Sequence, residues 1–135
     1  MTSSSTGALA EKKSILVVDD CSVLCCAYGQ ALRAWGYEVD VAEDGLAGLE
    51  CLKTARYHLV ISDYEMPRCN GIDFLRRYRA EIDRDAEIPF ILITGTPIHL
   101  LSGRLDGFAR TLNKPFDFKC LKGALEETLL ISNNY

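Results

Sequence analysis

The sequence predicts an α/β fold built on a parallel sheet, and three observations carry the prediction. Short apolar runs alternate with segments of helical periodicity about five times along the chain. The strongest runs, Ser14 to Val18, Leu59 to Ser62 and Pro89 to Ile93, are nearly continuous in Ile, Val and Leu, as expected of strands covered on both faces. The chain has 135 residues, 48% of them apolar, which is enough for one domain with a real core and too little for two.

Residues 1–13 are rich in Ser and Thr and read as a disordered tail; with only Ala8-Leu9-Ala10 as an apolar stretch, they do not form a signal peptide. After the first strand, Leu24, Tyr28, Ala31 and Trp35 fall on one helical face and Gly36 supplies the stop. Glu38 to Val41 is a weaker strand, and Leu46, Leu49 and Leu52 mark a second helix. The strand Leu59 to Ser62 leads to a third helix marked by Ile72, Leu75, Tyr78 and Ile82, and Pro89 to Ile93 follows as the fourth strand. A helix is due between Pro97 and Gly107, yet Gly95, Pro97, Gly103 and Gly107 crowd the segment and predict a short or irregular one. Ala109 to Leu112 is the last strand. Asp117 then caps a helix whose Leu121, Ala124, Leu125, Thr128 and Leu129 keep i, i+3, i+4, i+7, i+8 spacing. The domain is expected over 14–131 and a short tail over 132–135, which leaves no room for an appended output domain and suits a stand-alone module.

Fifteen basic against nineteen acidic residues give a net charge of -4, so the chain lacks the basic footprint of a nucleic-acid binder. No apolar run approaches the roughly 18 residues needed to span a bilayer, so neither membrane insertion nor a nucleic-acid partner is expected. Six cysteines occur without a C-x-x-C pair and with only two histidines, His58 and His99, which argues against structural zinc. The expected localisation is cytoplasmic, with reduced thiols.

In an open parallel sheet the ligand site lies beyond the carboxyl ends of the strands. There the sequence places Asp19 and Asp20 after strand one, Asp63 after strand three, Thr94 after strand four and Lys114 after strand five. Any one of these residues suits a turn or a helix cap. Three carboxylates gathered at one edge, however, repel one another unless a cation neutralises them. Hard oxygen donors without His or Cys select Mg2+, which keeps positions open for phosphate oxygens. A carboxylate such as Asp63 then has the chemistry of a nucleophile toward phosphorus, with the Lys114 ammonium absorbing negative charge and the Thr94 hydroxyl bonding a phosphoryl oxygen.

These residues stand in the motifs Ile-Leu-Val-Val-Asp-Asp (Ile15 to Asp20), Ser-Asp-Tyr-Glu-Met-Pro (Ser62 to Pro67) with Gly71, Ile-Thr-Gly (Ile93 to Gly95) and Lys-Pro-Phe (Lys114 to Phe116). In that order and at those separations they resemble the receiver domains of two-component response regulators, of the chemotaxis-regulator type, over roughly Ser14 to Ile131. The resemblance implies a three-layer flavodoxin-like (βα)5 fold, with a five-stranded parallel sheet of order 2-1-3-4-5 and five helices. It implies that Asp63 accepts a phosphoryl group from a sensor histidine kinase or histidine phosphotransfer protein. Mg2+ would be held by Asp19, Asp20, Asp63 and the backbone carbonyl of Glu65, with Thr94 and Lys114 contacting the phosphoryl group. The chain would act on its own acyl phosphate and turn over no free substrate. It would signal to a downstream protein target as a monomer or weak dimer.

Two departures from the family pattern concern the output side. Where the family commonly carries Tyr or Phe three residues before the lysine, as a rotamer switch coupled to the threonine, this chain has Thr111. Only 19 residues separate Thr94 from Lys114, in the Gly-rich segment noted above. Glu65 either lies in solvent or brings a carboxylate to the mouth of the site, where it would tune phosphoryl lifetime together with Thr111. The competing functional readings are a phosphorylation-independent adaptor on the same fold, redox sensing through the six cysteines including the adjacent Cys25 and Cys26, and a hydrolase, for which no Ser/His/Asp triad or Gly-rich phosphate loop is visible.

Overall fold

Each apolar run of the sequence forms a strand, and the strands lie side by side because their Ile, Val and Leu side chains need cover on both faces. The structure is a computed structural model that describes residues 12–82 and 88–132; residues 1–11 and 133–135 of the expected tails lie outside the described residues. The chain runs β1 (Ser14–Val18), α1 (Ser22–Ala34), β2 (Glu38–Ala42), α2 (Gly45–Thr54), β3 (Leu59–Asp63), α3 (Gly71–Glu81), β4 (Phe90–Thr94), a single 3₁₀ turn (Ile98–Leu101), β5 (Arg110–Asn113) and α4 (Phe118–Ser132). All pairings are parallel and the strand order is β2-β1-β3-β4-β5. Strand bounds agree with the sequence reading to within one residue.

Successive strand residues point to opposite faces, which divides the core in two. On one face Ile15, Val17, Leu59, Ile61, Ile91 and Ile93 pack against Tyr28 and Leu32 of α1 and Leu121, Ala124, Leu125 and Leu129 of α4. On the other, Leu16, Val18, Val60 and Phe90 pack against Leu49 and Leu52 of α2 and Phe74, Leu75 and Tyr78 of α3. The helix starts are set locally. The Asp44 side chain accepts the Ala47 N–H at 2.8 Å, Asn70 accepts that of Asp73 at 2.9 Å, and Asp117 accepts that of Cys120 at 3.0 Å, the cap expected for the last helix.

Three expectations are corrected in detail. The buried stripe of α1 is Cys25, Tyr28, Gly29 and Leu32, one residue off the predicted Leu24, Ala31 and Trp35, which are only partly buried. In α2, Leu46 is exposed while Gly45 and Gly48 are buried; a Cβ at Gly48 would lie 2.9 Å from the Phe74 ring, so the helix packs its glycines against α3. The segment between β4 and β5 holds only the 3₁₀ turn, so among the described residues four α-helices flank the sheet where the resemblance implied five. The crowded glycines and proline account for that shortening, as the sequence predicted.

Candidate functional site

The strand order reverses between β1 and β3, because the chain leaves β1 toward β2 on one side and returns to β3 on the other. The carboxyl ends of these two neighbours are where an open parallel sheet leaves a crevice. Asp19 and Asp20 are the first residues beyond β1, and Asp63 is the last residue of β3. One carboxylate oxygen of each lies within 4.8 Å of those of the other two, with Asp19 and Asp63 buried and Asp20 exposed. An open cleft of about 680 Å3, bordered by α1, β2 and α2, reaches Asp19 and Asp20 from solvent.

Asp19 is fixed by a short turn in which the Cys21 N–H donates to its Oδ1 at 2.9 Å. Burial raises its pKa, opposed by that hydrogen bond and by the Lys114 charge. Asp63 is only 5% exposed, and burial pushes its carboxyl up to about 6. The negative charge of Asp19 works in the same direction and Lys114 against it. The Lys114 Nζ stands 2.9 Å from Asp63 Oδ1, across the carboxyl ends of β3, β4 and β5. That ammonium is the one close partner of the buried Oδ1 among the described residues. Burial works against the Lys114 charge, but the Asp63 carboxylate outweighs it and raises the lysine's pKa. The peptide bond from Lys114 to Pro115 is cis.

Gly71 sets how closely α3 approaches this edge. Its N–H donates to the Tyr64 carbonyl at 3.0 Å, and a Cβ there would fall 2.6 Å from the Asp63 carbonyl oxygen and 2.6 Å from Leu92 Cδ1. A side chain at 71 would therefore displace the backbone that carries Asp63.

Thr94 is fully buried at the end of β4, and its hydroxyl donates to Glu65 Oε2 at 2.7 Å. The same carboxylate accepts the Thr96 hydroxyl at 2.7 Å, the Thr96 N–H at 3.1 Å and the Gly95 N–H at 3.2 Å. Partial burial of the Glu65 carboxyl favours its neutral form, but these donors prevail and lower its pKa. Of the two positions the sequence left open for Glu65, the carboxylate takes the one at the mouth of the site, although the residue as a whole is exposed. Thr111 lies in β5 beside Leu92, and among the described residues no hydrogen bond links it to Thr94. Sequence reasoning missed Thr96 and Asn113. The Asn113 amide donates to the carbonyls of Thr94 and Thr96 at 3.1 and 2.6 Å, and its Oδ1 accepts the Ile98 N–H at 3.1 Å. The only available signal was a polar residue directly before Lys-Pro.

The donor set suits a hard divalent cation. Three carboxylates converge with one ammonium, Lys114, against one of them, and among the described residues no histidine joins them. The neighbouring Cys25 is no soft ligand, because its thiol donates to the Asp19 carbonyl at 3.2 Å and burial pushes its pKa up to about 11. All six cysteines are free thiols, Cys26 and Cys120 exposed among them. Among the described residues no helix is long and apolar enough to cross a membrane.

Comparison with known proteins places this geometry in context. The family model of the response regulator receiver domain matches residues 15–126. The chain is 33% identical over 122 residues to the "Probable chemotaxis protein CheY" of Rhizobium etli, covering 88% of this chain and 94% of that one. It is 35% identical over 125 residues to the transcriptional regulatory protein ZraR of Klebsiella oxytoca, where the match takes in 88% of this chain but 27% of the larger protein. Among solved structures it is similar to response regulator TrrA of Thermotoga maritima in complex with Mg(2+)-BeF, with a TM-score of 0.75 and 29% identity over 86% of this chain and 98% of that one.

Proposed function

The chain belongs to the response regulator receiver domain family and is a phosphoryl-accepting component of two-component signalling, and from that premise we propose that Asp63 is its acceptor. The observation that carries the proposal is the buried Asp63 carboxylate, with the Lys114 ammonium 2.9 Å from Oδ1 and an oxygen each of Asp19 and Asp20 within 4.8 Å. A phosphohistidine of a sensor kinase or phosphotransfer protein is the donor. An Asp63 oxygen attacks phosphorus, the phosphorus–nitrogen bond breaks, and the departing imidazole nitrogen keeps the electron pair and takes up a proton. Asp19, Asp20, Asp63 and the Glu65 carbonyl would hold Mg2+, which when bound would neutralise phosphoryl charge. Lys114 balances the acquired negative charge from the other side, and the Thr94 hydroxyl turns to a phosphoryl oxygen.

Glu65 competes for that hydroxyl, and in this reading it sets phosphoryl lifetime together with Thr111. The functional unit is 14–131, a cytoplasmic monomer or weak dimer that transforms only its own acyl phosphate. Its output is binding to a protein target. The adaptor reading is not favoured, since Asp19, Asp20 and Asp63 converge with Lys114 against Asp63. Incubation with Mg2+ and a small acyl-phosphate donor, followed by intact-mass measurement, tests the proposal. Wild type gains one phosphoryl group only with the metal and Asp63→Asn gains none; an adduct on both proteins, or on neither, contradicts it.

A further inference from the structure

The segment from Thr94 to Ile98 is held from two sides. On one side the Glu65 carboxylate takes the hydroxyls of Thr94 and Thr96 and the N–H groups of Gly95 and Thr96. On the other, the single side chain of Asn113 takes the carbonyls of Thr94 and Thr96 and the N–H of Ile98, where the 3₁₀ turn begins. Asn113 directly precedes Lys114, whose N–H donates to the Thr94 carbonyl at 2.8 Å and whose Nζ meets Asp63. One residue therefore joins the end of β4, the start of the 3₁₀ turn and the lysine of the acceptor site. The turn presents Leu100, which is 63% exposed.

A hydroxyl has one proton to donate, so Thr94 serves either Glu65 or a phosphoryl oxygen. The Thr96 N–H is shared between Thr94 Oγ1, at 2.9 Å, and Glu65 Oε2. Moving the Thr94 hydroxyl therefore disturbs the backbone at Thr96, whose N–H it accepts and whose carbonyl, in the next peptide, carries the 2.6 Å bond to Asn113. Thr111 has no hydrogen bond to Thr94 through which to pass on such a change. A conformational response needs contacts that differ between the two states, and here those contacts converge on one amide.

We propose that Asn113 is the positioning residue that couples phosphorylation of Asp63 to the Ile98–Leu101 turn, making that turn with its exposed Leu100 the responsive surface. The inference rests on the phosphoacceptor reading of Asp63. The Asn113 amide keeps the 94–98 backbone fastened to β5 while the Thr94 hydroxyl changes partner, so the displacement is delivered to the turn.

The test uses the full chain with beryllofluoride and Mg2+ as the phosphoryl analogue, followed by backbone amide NMR. In wild type, shifts are expected at Asp63 and across Ile98–Leu101. In Asn113→Leu the shifts at Asp63 and the analogue's affinity are retained while those across Ile98–Leu101 are lost. Asn113→Asp keeps an acceptor for the Ile98 N–H but not the two donated bonds. It is expected to retain slow hydrogen exchange at Ile98, which the leucine variant loses, and still to lose most of the shift at the turn. A wild-type response at the turn in Asn113→Leu overturns the coupling role. Loss of analogue binding in both variants overturns it too, since Asn113 then merely holds the site together. Failure of wild type to bind the analogue at Asp63 is the distinct result that removes the phosphoacceptor reading beneath it.

Discussion

Asp63 brings a buried carboxylate to a site that must carry charge. With its carboxyl raised from 3.8 to about 6, the native state binds the proton more tightly than the unfolded chain. In the metal-free protein this group's contribution to stability is therefore fully present below about 3.8 and is lost as pH rises through about 6. Asp63→Asn is expected to stabilise the metal-free protein at pH 8 by roughly 1–3 kcal/mol, an advantage that disappears below pH 4; urea midpoints at the two pH values check it. Protons and Mg2+ compete for the same carboxylate, so the thermal stabilisation conferred by Mg2+ weakens as pH falls through about 6. Lys114→Ala removes the ammonium that meets the transferred charge, and adduct formation from an acyl-phosphate donor is expected to slow on the order of 100-fold. The placement of Asp19, Asp20, Asp63, Thr94 and Lys114 along one edge of the sheet was legible in the sequence because each sits just at or beyond a strand end, where strand prediction locates it. The network of Thr96 and Asn113 was not, since Glu65 lies 31 residues from Thr96, and Ile98 and Thr96 lie 15 and 17 from Asn113, and hydrogen bonds leave no periodic trace.

Among the elements, α4 was the most legible: all five residues of its predicted stripe are buried, and its Asp117 cap is in place. Asp117→Ala is expected to cost about 1 kcal/mol, read from the urea midpoint. Helix α1 was misplaced by one residue because both candidate stripes contain Tyr28, and the true one is completed by Cys25 and Gly29, which carry little apolar signal. In α2 the same blindness to glycine hid the face that packs on Phe74 and left the exposed Leu46 looking like core. Gly71 was legible only as a motif letter; its physical reason is the 2.6 Å approach to the Asp63 carbonyl. Gly71→Ala is expected to lower stability by about 1–3 kcal/mol, and by shifting the Asp63 backbone to weaken the Mg2+-induced rise in melting temperature.

For the molecule as a whole, the alternation of strand and helix gave the layer architecture, but strand order came only through family resemblance. Apolar strands signal burial without naming their neighbours, and only the order β2-β1-β3-β4-β5 puts Asp63 beside Asp19 and Asp20 and lets Lys114 reach across from β5. The shortened β4–β5 connection leaves one 3₁₀ turn on the surface nearest Thr94 and Asn113, and there this receiver departs furthest from the fold its motifs imply. The central claim is that a covalent aspartyl phosphate forms on Asp63. After exposure to Mg2+ and an acyl-phosphate donor, reduction with borohydride converts an aspartyl phosphate to homoserine, and peptide mass mapping then locates it. The account predicts homoserine at position 63 alone, absent without Mg2+; reduction at another carboxylate, or none in a protein that has gained a phosphoryl group, would contradict it.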